Sequence, residues 1–459
     1  MTDPSAEYAG HPRLLALLVT GVTGVTVWSV ARLAAALPGN DAGPATWLLA
    51  AMLLWWLPLS WCERRITAPP GERAGLDALR VTVQVPVYNE DPEALRACLR
   101  SVLAQSRPVT RVRVVDDGSH VPYDDVRHAF ESAAAARGVE TTWDRTPNRG
   151  KRHAQMHALA EDDGDVFVTL DSDSVLDRHA VREGLAPFAD PRVQSVAGQV
   201  LVLNRTAGPI GRLTGLLYLP FTLGLRSAGS VLRKVTLNSG ALAFYRAGVV
   251  RRCAGAYENE RFRGRPMQMN DDSLLTFHAL LAGRTVHQPS AMVFTLAPAR
   301  FGHYARQQVR WMRGTAVRHL WWLRYLPLTS VIFWTTVAQH LHLLLMAALP
   351  VALLTDRQVD WGAVAAAGAQ AGLAMNYVMA LRLFTVRRGD ESAGARLLAF
   401  ALAPLAALWR LVVLRPLLAY AVLTCHRVGR WGTRGGVEVG LTAGKMIPFL
   451  TRSRRVCSI

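Results

Sequence analysis

Two aspartates two residues apart, Asp171 and Asp173, follow directly on the apolar run 166–170. Residues two apart in an extended chain face the same way, so both carboxylates can serve one hard cation, directly or through water. Magnesium and manganese prefer oxygen ligands, and magnesium takes one or two carboxylates and fills its shell with water and substrate phosphates. The pair therefore points to Mg2+ or Mn2+ held together with a nucleotide diphosphate. A second acidic group, Asp116-Asp117-Gly118, closes the run 111–115, and a third, Asn270-Asp271-Asp272, precedes the helical pattern Leu274, Leu275, Phe277, His278 and Leu281. An acid in that last position either caps the helix or acts as a general base, and both readings stand on sequence alone. Asn148-Arg149-Gly150-Lys151-Arg152 looks like a phosphate loop. It is no Walker site, because Arg152 replaces the required Ser or Thr and the upstream glycine is missing. Lys151 and Arg152 can still reach an anion. Gln307, Arg310 and Trp311 fall at i, i+3 and i+4 and share one helix face.

The elements that must position these groups alternate strand, loop and helix from residue 81 to about 299. The β-branched run 81–85 ends at Pro86, and Asp91-Pro92 then offers an N-cap and a first-turn proline to a helix with Leu95, Cys98, Leu99 and Val102 at core spacing. Further strands at 111–115 and 166–170 run straight into their acidic groups. Acids at the carboxyl ends of strands lie where open α/β sheets bind ligands. Residues 301–323 mix aromatics with Arg, which predicts an amphipathic helix in a membrane interface.

Composition places part of the chain in lipid: 459 residues are 51% hydrophobic, more than a soluble enzyme needs. The net charge of +18 comes almost wholly from Arg. With no zinc-knuckle spacing, RNA-binding aromatic signature or contiguous basic block, nucleic acid is not the expected partner. Cytoplasmic loops, the bilayer and anionic ligands account for the charge better. Five scattered cysteines without C-x-x-C pairing argue against a disulfide framework or zinc site. Residues 14–31 are uncharged, and 46–62 form a second apolar run with Trp47, Trp55, Trp56 and Trp61, so 14–62 is expected as a transmembrane hairpin. The linker 38–45 lacks Lys and Arg whereas Arg64-Arg65 follow the second run, which puts the polar domain on the cytoplasmic side of the plasma membrane. Apolar runs return at 329–355 and 359–384. The stretch 397–424 is interrupted by Pro404, Arg410, Arg415 and Pro416, so it is expected as two short or broken crossings or a re-entrant element, leaving 425–459 as a cytoplasmic tail.

Taken together, Val85-Pro86-Val87-Tyr88-Asn89-Glu90, Val114 to Ser119, Gly150-Lys151-Arg152, Asp171-Ser172-Asp173-Ser174, Asn270-Asp271-Asp272 and Gln307 to Trp311 resemble the signature set of processive family 2 glycosyltransferases. The resemblance is nearest to the branch of hyaluronan and chitin-oligosaccharide synthases. Trp431-Gly432-Thr433-Arg434 looks like the gating motif that hyaluronan synthases carry after their last membrane segment. Two positions depart from the branch: Asn270 stands where Gly is usual, and Ala241 where Pro is usual. The resemblance implies a GT-A, Rossmann-like α/β domain over 66–299, inserted between N- and C-terminal transmembrane helices, with an interfacial helix over 300–323 and membrane segments over 329–424. It implies an inverting transfer from a UDP-sugar donor to a growing glycan. Tyr88, Glu90, Asp117, Lys151, Arg152, Asp171, Gln307, Arg310 and Arg434 would bind the nucleotide, and Asp171 and Asp173 the metal. Asp272 would be the base; Ser239, Gly240, Asp271 and Trp311 would meet the acceptor; Trp431 and Thr433 would gate. A non-processive transferase acting on a lipid phosphate would share the Asp motifs, and a non-enzymatic scaffold would not need them.

Overall fold

The computed structural model describes residues 5–11, 13–36, 47, 56–355 and 360–427. Its strands are β1 (Ala6–Tyr8), β2 (Val81–Val87), β3 (Arg111–Asp116), β4 (Glu140–Arg145), β5 (Val166–Thr169), β6 (Ser174–Leu176), β7 (Val193–Val202), β8 (Ala243–Arg246), β9 (Arg261–Phe262), β10 (Arg265–Pro266), β11 (Arg284–Thr295) and β12 (Val386–Arg388). Eight of them form one sheet in the order β4-β3-β2-β5-β8-β7-β11-β6. β2 to β5 run parallel, β8 lies antiparallel between β5 and β7, and β11 is parallel to β7 and antiparallel to β6.

The parallel half is made of near-continuous β-branched runs because it is covered on both faces. On one face Val81, Val83, Val85 and Val87 pack with Leu95 and Leu99 of the helix Pro92–Leu103 and with Phe130 of the helix Asp124–Ala135. On the other, Phe167 and Tyr245 pack with Leu159 of the helix Lys151–Ala160, Val250 of Ala247–Glu258 and Leu275 of Asp271–Ala282. The helix expected after Asp91-Pro92 starts there, with the Asp91 carboxylate accepting from the Glu93 amide. This is the mixed α/β domain that the strand pattern predicted, GT-A-like as the resemblance implied, and long apolar helices flank it.

Among the described residues three helices are long and apolar enough to cross a membrane: Leu14–Ala35, Trp361–Thr385 and Ala403–Leu423. The first apolar run is the helix Arg13–Ala36, and 331–355 is also helical. Of the second run, Trp47 and the helix Trp56–Trp61 lie among the described residues. The interrupted stretch folds as a short helix Ala393–Ala401 followed by Ala403–Trp409, a π turn Arg410–Leu414 and Arg415–Leu423. A π turn is the usual way to absorb a misfit without ending a helix. Arg410 is tolerated there because its guanidinium donates to Asn376 Oδ1 on the neighbouring helix Trp361–Ala380 at 2.6 Å. At the edge of this region β1 pairs antiparallel with β12, and Ala6 N donates to Asp177 Oδ2 at 3.1 Å. Cys62, Cys98, Cys253 and Cys425 are free thiols.

Candidate active site

The carboxyl ends of β2, β3 and β5 open on one crevice. Just past β3, Asp117 is buried and spends both carboxylate oxygens on main chain: Oδ1 accepts from the Arg149 amide at 2.9 Å and Oδ2 from the Gly150 amide at 2.8 Å. The carboxylate thus fixes the loop that leads into the helix Lys151–Ala160. Burial pushes the Asp117 carboxyl up, and those two amides pull it back only in part. Tyr88, half-buried, follows β2 on the same side.

Lys151, first in its helix, extends its ammonium to Asp171 Oδ1 at 2.6 Å and to Asp271 Oδ2 at 3.1 Å. Burial alone would discharge it, but Asp171 and Asp271 overcome that and hold its titration above the ordinary lysine range. Gly240 completes the corner. A Cβ there would lie 2.9 Å from Lys151 Nζ and 3.2 Å from Asp171 Oδ2, so a larger residue would push the Lys151 ammonium from its place. Asp173 lies across the turn, where its Oδ1 accepts from Ser174 Oγ and Thr295 Oγ1, each at 3.4 Å.

Asp271 and Asp272 start the helix Asp271–Ala282, where the positive end of the helix dipole favours anions. Burial pushes both carboxyls up. At Asp271 the Lys151 ammonium overrides burial and leaves the group below its ordinary value. Asp272, burdened by burial and by the charge of Asp271 beside it, is raised to about 6. Its Oδ1 accepts from the Ser273 amide at 2.7 Å. Lys151 therefore bonds Asp171 and Asp271 and acts on Asp272 through space, and Asp272 is left able to take a proton at about pH 6.

The helix Phe301–Trp322 packs against this corner through bonds to Asn270 and Glu260. Gln307, Arg310 and Trp311 are all half-buried there, and the Trp311 ring meets Tyr218 edge-on, with centroids 6.2 Å apart. Tyr218 belongs to the helix Pro209–Val231; burial first, then Tyr304 and Asp173, push its hydroxyl up. Arg226 on the same helix is buried, and burial draws its guanidinium down to about 10, with Asp272 the leading neighbour that opposes this. Asn270, in the left-handed region at φ +50°, donates from Nδ2 to the Trp311 carbonyl at 3.0 Å and to Thr315 Oγ1 at 3.3 Å.

Two expected nucleotide contacts are employed elsewhere. Arg152, next to Lys151 but turned by roughly 100° around the helix, is buried: it donates to the Tyr257 carbonyl at 3.1 Å, Glu260 Oε2 at 2.8 Å and the Met269 carbonyl at 2.9 Å. Glu90 is also buried. Its carboxylate accepts from Ser172 Oγ at 3.0 Å and the Asp91 amide at 3.2 Å, and so shapes the Asp171-Ser172-Asp173 turn from below. Trp431, Thr433 and Arg434 lie outside the described residues. Sequence reading missed Glu260, Arg318 and Gly314. Arg318, fully buried, shares Glu260 Oε2 with Arg152 and also donates to Met269 O at 3.1 Å, Ser273 Oγ and Asn270 O. The available signal was spacing, since 311, 314, 315 and 318 share one helix face.

Asp171 and Asp173 supply the carboxylate oxygens that a divalent cation prefers, but Ser172-Asp173 is a turn and not the extended strand end expected, and Asp171 Oδ1 already accepts the Lys151 ammonium at 2.6 Å. Among the described residues no group of three or more His, Cys, Asp or Glu side chains could enclose a metal. An ion here would take its remaining ligands from phosphate and water.

Residues 79–314 match the family described as "Glycosyltransferase like family 2". A hyaluronan synthase of Streptococcus pyogenes is 31% identical over 366 residues, 78% of this chain and 84% of that protein. An N-acetylglucosaminyltransferase of Sinorhizobium fredii is 33% identical over 367 residues, 77% of this chain and 84% of that one. Among solved structures, a mannosyltransferase from Pyrobaculum calidifontis, in complex with GDP-Man and Mn2+, superposes with a TM-score of 0.52 at 20% identity, covering 86% of this chain and 99% of that one. That likeness concerns the fold.

Proposed function

Because the chain belongs to glycosyltransferase family 2 and is related to hyaluronan synthases and N-acetylglucosaminyltransferases, we propose that it is a membrane-embedded, inverting synthase that polymerises UDP-sugars into a β-linked polysaccharide and passes the product into the bilayer-spanning region. N-acetylglucosamine is the sugar that the relatives' names support, with glucuronate as the second donor of a hyaluronan-type product. The observation that carries this reading is the Lys151-Asp171-Asp271-Asp272 cluster, joined through Asn270 to the helix that bears Trp311.

Tyr88 and the loop that Asp117 pins receive the uridine, and Lys151 lies at the diphosphate. Asp171 and Asp173 would hold Mg2+ or Mn2+, which when bound neutralises charge on the diphosphate. Asp272 takes the proton of the acceptor hydroxyl as its oxygen bonds to the sugar C1 and the C1–O bond to UDP breaks. The anomeric centre inverts, and the electron pair leaves with UDP. Asp272, raised to about 6, suits this role because a general base works best with its pKa near the working pH. Arg310 offsets charge on the leaving diphosphate; Trp311 stacks on the acceptor ring, with Ser239 and Gly240 beside it. Arg64 and Arg65 after the second apolar segment support a cytoplasmic site at the plasma membrane.

Offering UDP-sugars singly and in pairs to the full chain in lipid nanodiscs, with UDP release and product digestion as readouts, tests this reading. Sustained turnover on UDP-N-acetylglucosamine alone means a chitin-type product, and a requirement for UDP-glucuronate as well means a hyaluronan-type one. Turnover only with UDP-glucose or another hexose overturns the sugar assignment, and absence of UDP release with every donor overturns the activity.

A further inference from the structure

Asn270 occupies the N-cap position of the helix that carries Asp272, yet its side chain makes no capping bond to that helix. Asparagine at an N-cap normally accepts from the amides of the first turn. Here the side chain is spent on a different helix: Nδ2 reaches the Trp311 carbonyl and Thr315 Oγ1 on Phe301–Trp322. The Asn270 carbonyl in turn accepts from Arg318 Nη1 of that helix. Residues 311, 315 and 318 stand at i, i+4 and i+7, so one helix face grips Asn270 from side chain and main chain together. Gly314, at i+3 on the same face, is the seat. A Cβ at Gly314 would fall 2.4 Å from Asn270 Cγ and 2.5 Å from Oδ1, which no real Cβ tolerates.

Asn270 is therefore a bolt between two pieces of chemistry that the fold brings from far apart in sequence. Two residues on one side lies Asp272; directly across lies Trp311. We propose that Asn270 is a positioning residue that sets the spacing between the Asp272 carboxylate and the Trp311 ring, and so governs how well each new acceptor end is presented and how long the chain grows before release. The proposal rests on the reading of Asp272 as base and Trp311 as acceptor platform. Its physical basis is that a misplacement on the order of 1 Å away from the reacting atoms can cost as much as ~10²-fold in rate.

The seat makes the idea testable with compensating variants in the full chain. Asn270→Gly accepts the left-handed backbone at φ +50° without strain and withdraws the bolt. Gly314→Ala drives a methyl into the bolt, and the double variant removes the clash. For Asn270→Gly the expectation is a fall of about tenfold in kcat, donor KM within about twofold and a shorter product, the pattern of a lost positioning interaction rather than lost donor binding. Gly314→Ala should be worse, and the double variant should recover to the level of Asn270→Gly. Failure of the double variant to improve on Gly314→Ala, or an Asn270→Gly enzyme with unchanged kcat and product length, overturns the proposal. So does loss of activity that follows only loss of folded protein in a thermal melt. Trp311→Ala separates the premises: unaltered product length there sinks the platform reading itself. A shorter product with Trp311→Ala but not with Asn270→Gly sinks only the role of Asn270.

Discussion

The two acidic corners of the crevice use the same residue type to opposite ends. Behind β3, Asp117 faces two neutral main-chain amides at 2.9 and 2.8 Å, and its charge is absorbed in holding a loop. Around Lys151, one ammonium bonds Asp171 and Asp271, while Asp272 feels Lys151 and the buried Arg226 through space. The first corner is scaffold because both carboxylate oxygens are fixed on main chain. In the second, Asp171, Asp271 and Asp272 crowd together, and this local surplus of acids, added to burial, raises Asp272 to about 6.

That contrast can be broken most severely at the surplus itself. Asp171→Ala with Asp173→Ala should reduce UDP release to background, and chelation of the wild type should do the same until Mg2+ or Mn2+ is returned; full activity of the double variant would contradict the metal assignment. A step smaller, Asp272→Asn keeps shape and removes basicity. Turnover should drop by at least about 10² while UDP affinity survives; loss of UDP affinity instead would make Asp272 a structural cap. In the wild type the same group predicts that kcat/KM falls as pH drops below about 6, where the base is protonated, and is level just above it. The stability sign runs the other way. A carboxyl whose folded pKa lies above its unfolded value penalises the folded state once ionised, so Asp272→Asn should melt higher than wild type at pH 7.5, with the gap closing as pH falls towards 4. The mildest effect belongs to the scaffold corner. Asp117→Ala should cost on the order of 2 kcal/mol in stability and raise donor KM, because two amides lose a charged acceptor; an effect on kcat alone would blur the distinction between the corners.

Much of this arrangement was legible in the chain. The strands at 81–87, 111–116 and 166–169 announce themselves as β-branched runs, and their acidic ends point to the crevice. What could not be read is where adjacent residues face. Lys151 and Arg152 are both cations at the start of one helix, yet Lys151 enters the crevice while Arg152 braces Glu260. That choice depends on Tyr257, Glu260 and Met269, more than 100 residues away. Glu90 reads as a nucleotide ligand beside Tyr88 but turns inward to hold Ser172, a partner 82 positions on. Asn270 likewise looked like an odd substitution until its match to Gly314 was visible, and no local pattern links those two.

The pairing of β1 with β12 carries a consequence for biosynthesis. Ala6 to Tyr8 find their partners at Val386 to Arg388, so the first strand among the described residues pairs with the last. At translation rates of about 5–20 residues per second, roughly 20 to 75 s separate the emergence of the two strands. Through that interval the strand has Asp177 as the partner of its Ala6 amide but not yet β12. Closure of this small two-stranded clasp then ties the segment before the first apolar helix to the segment after Trp361–Thr385, ahead of the last apolar helix, Ala403–Leu423.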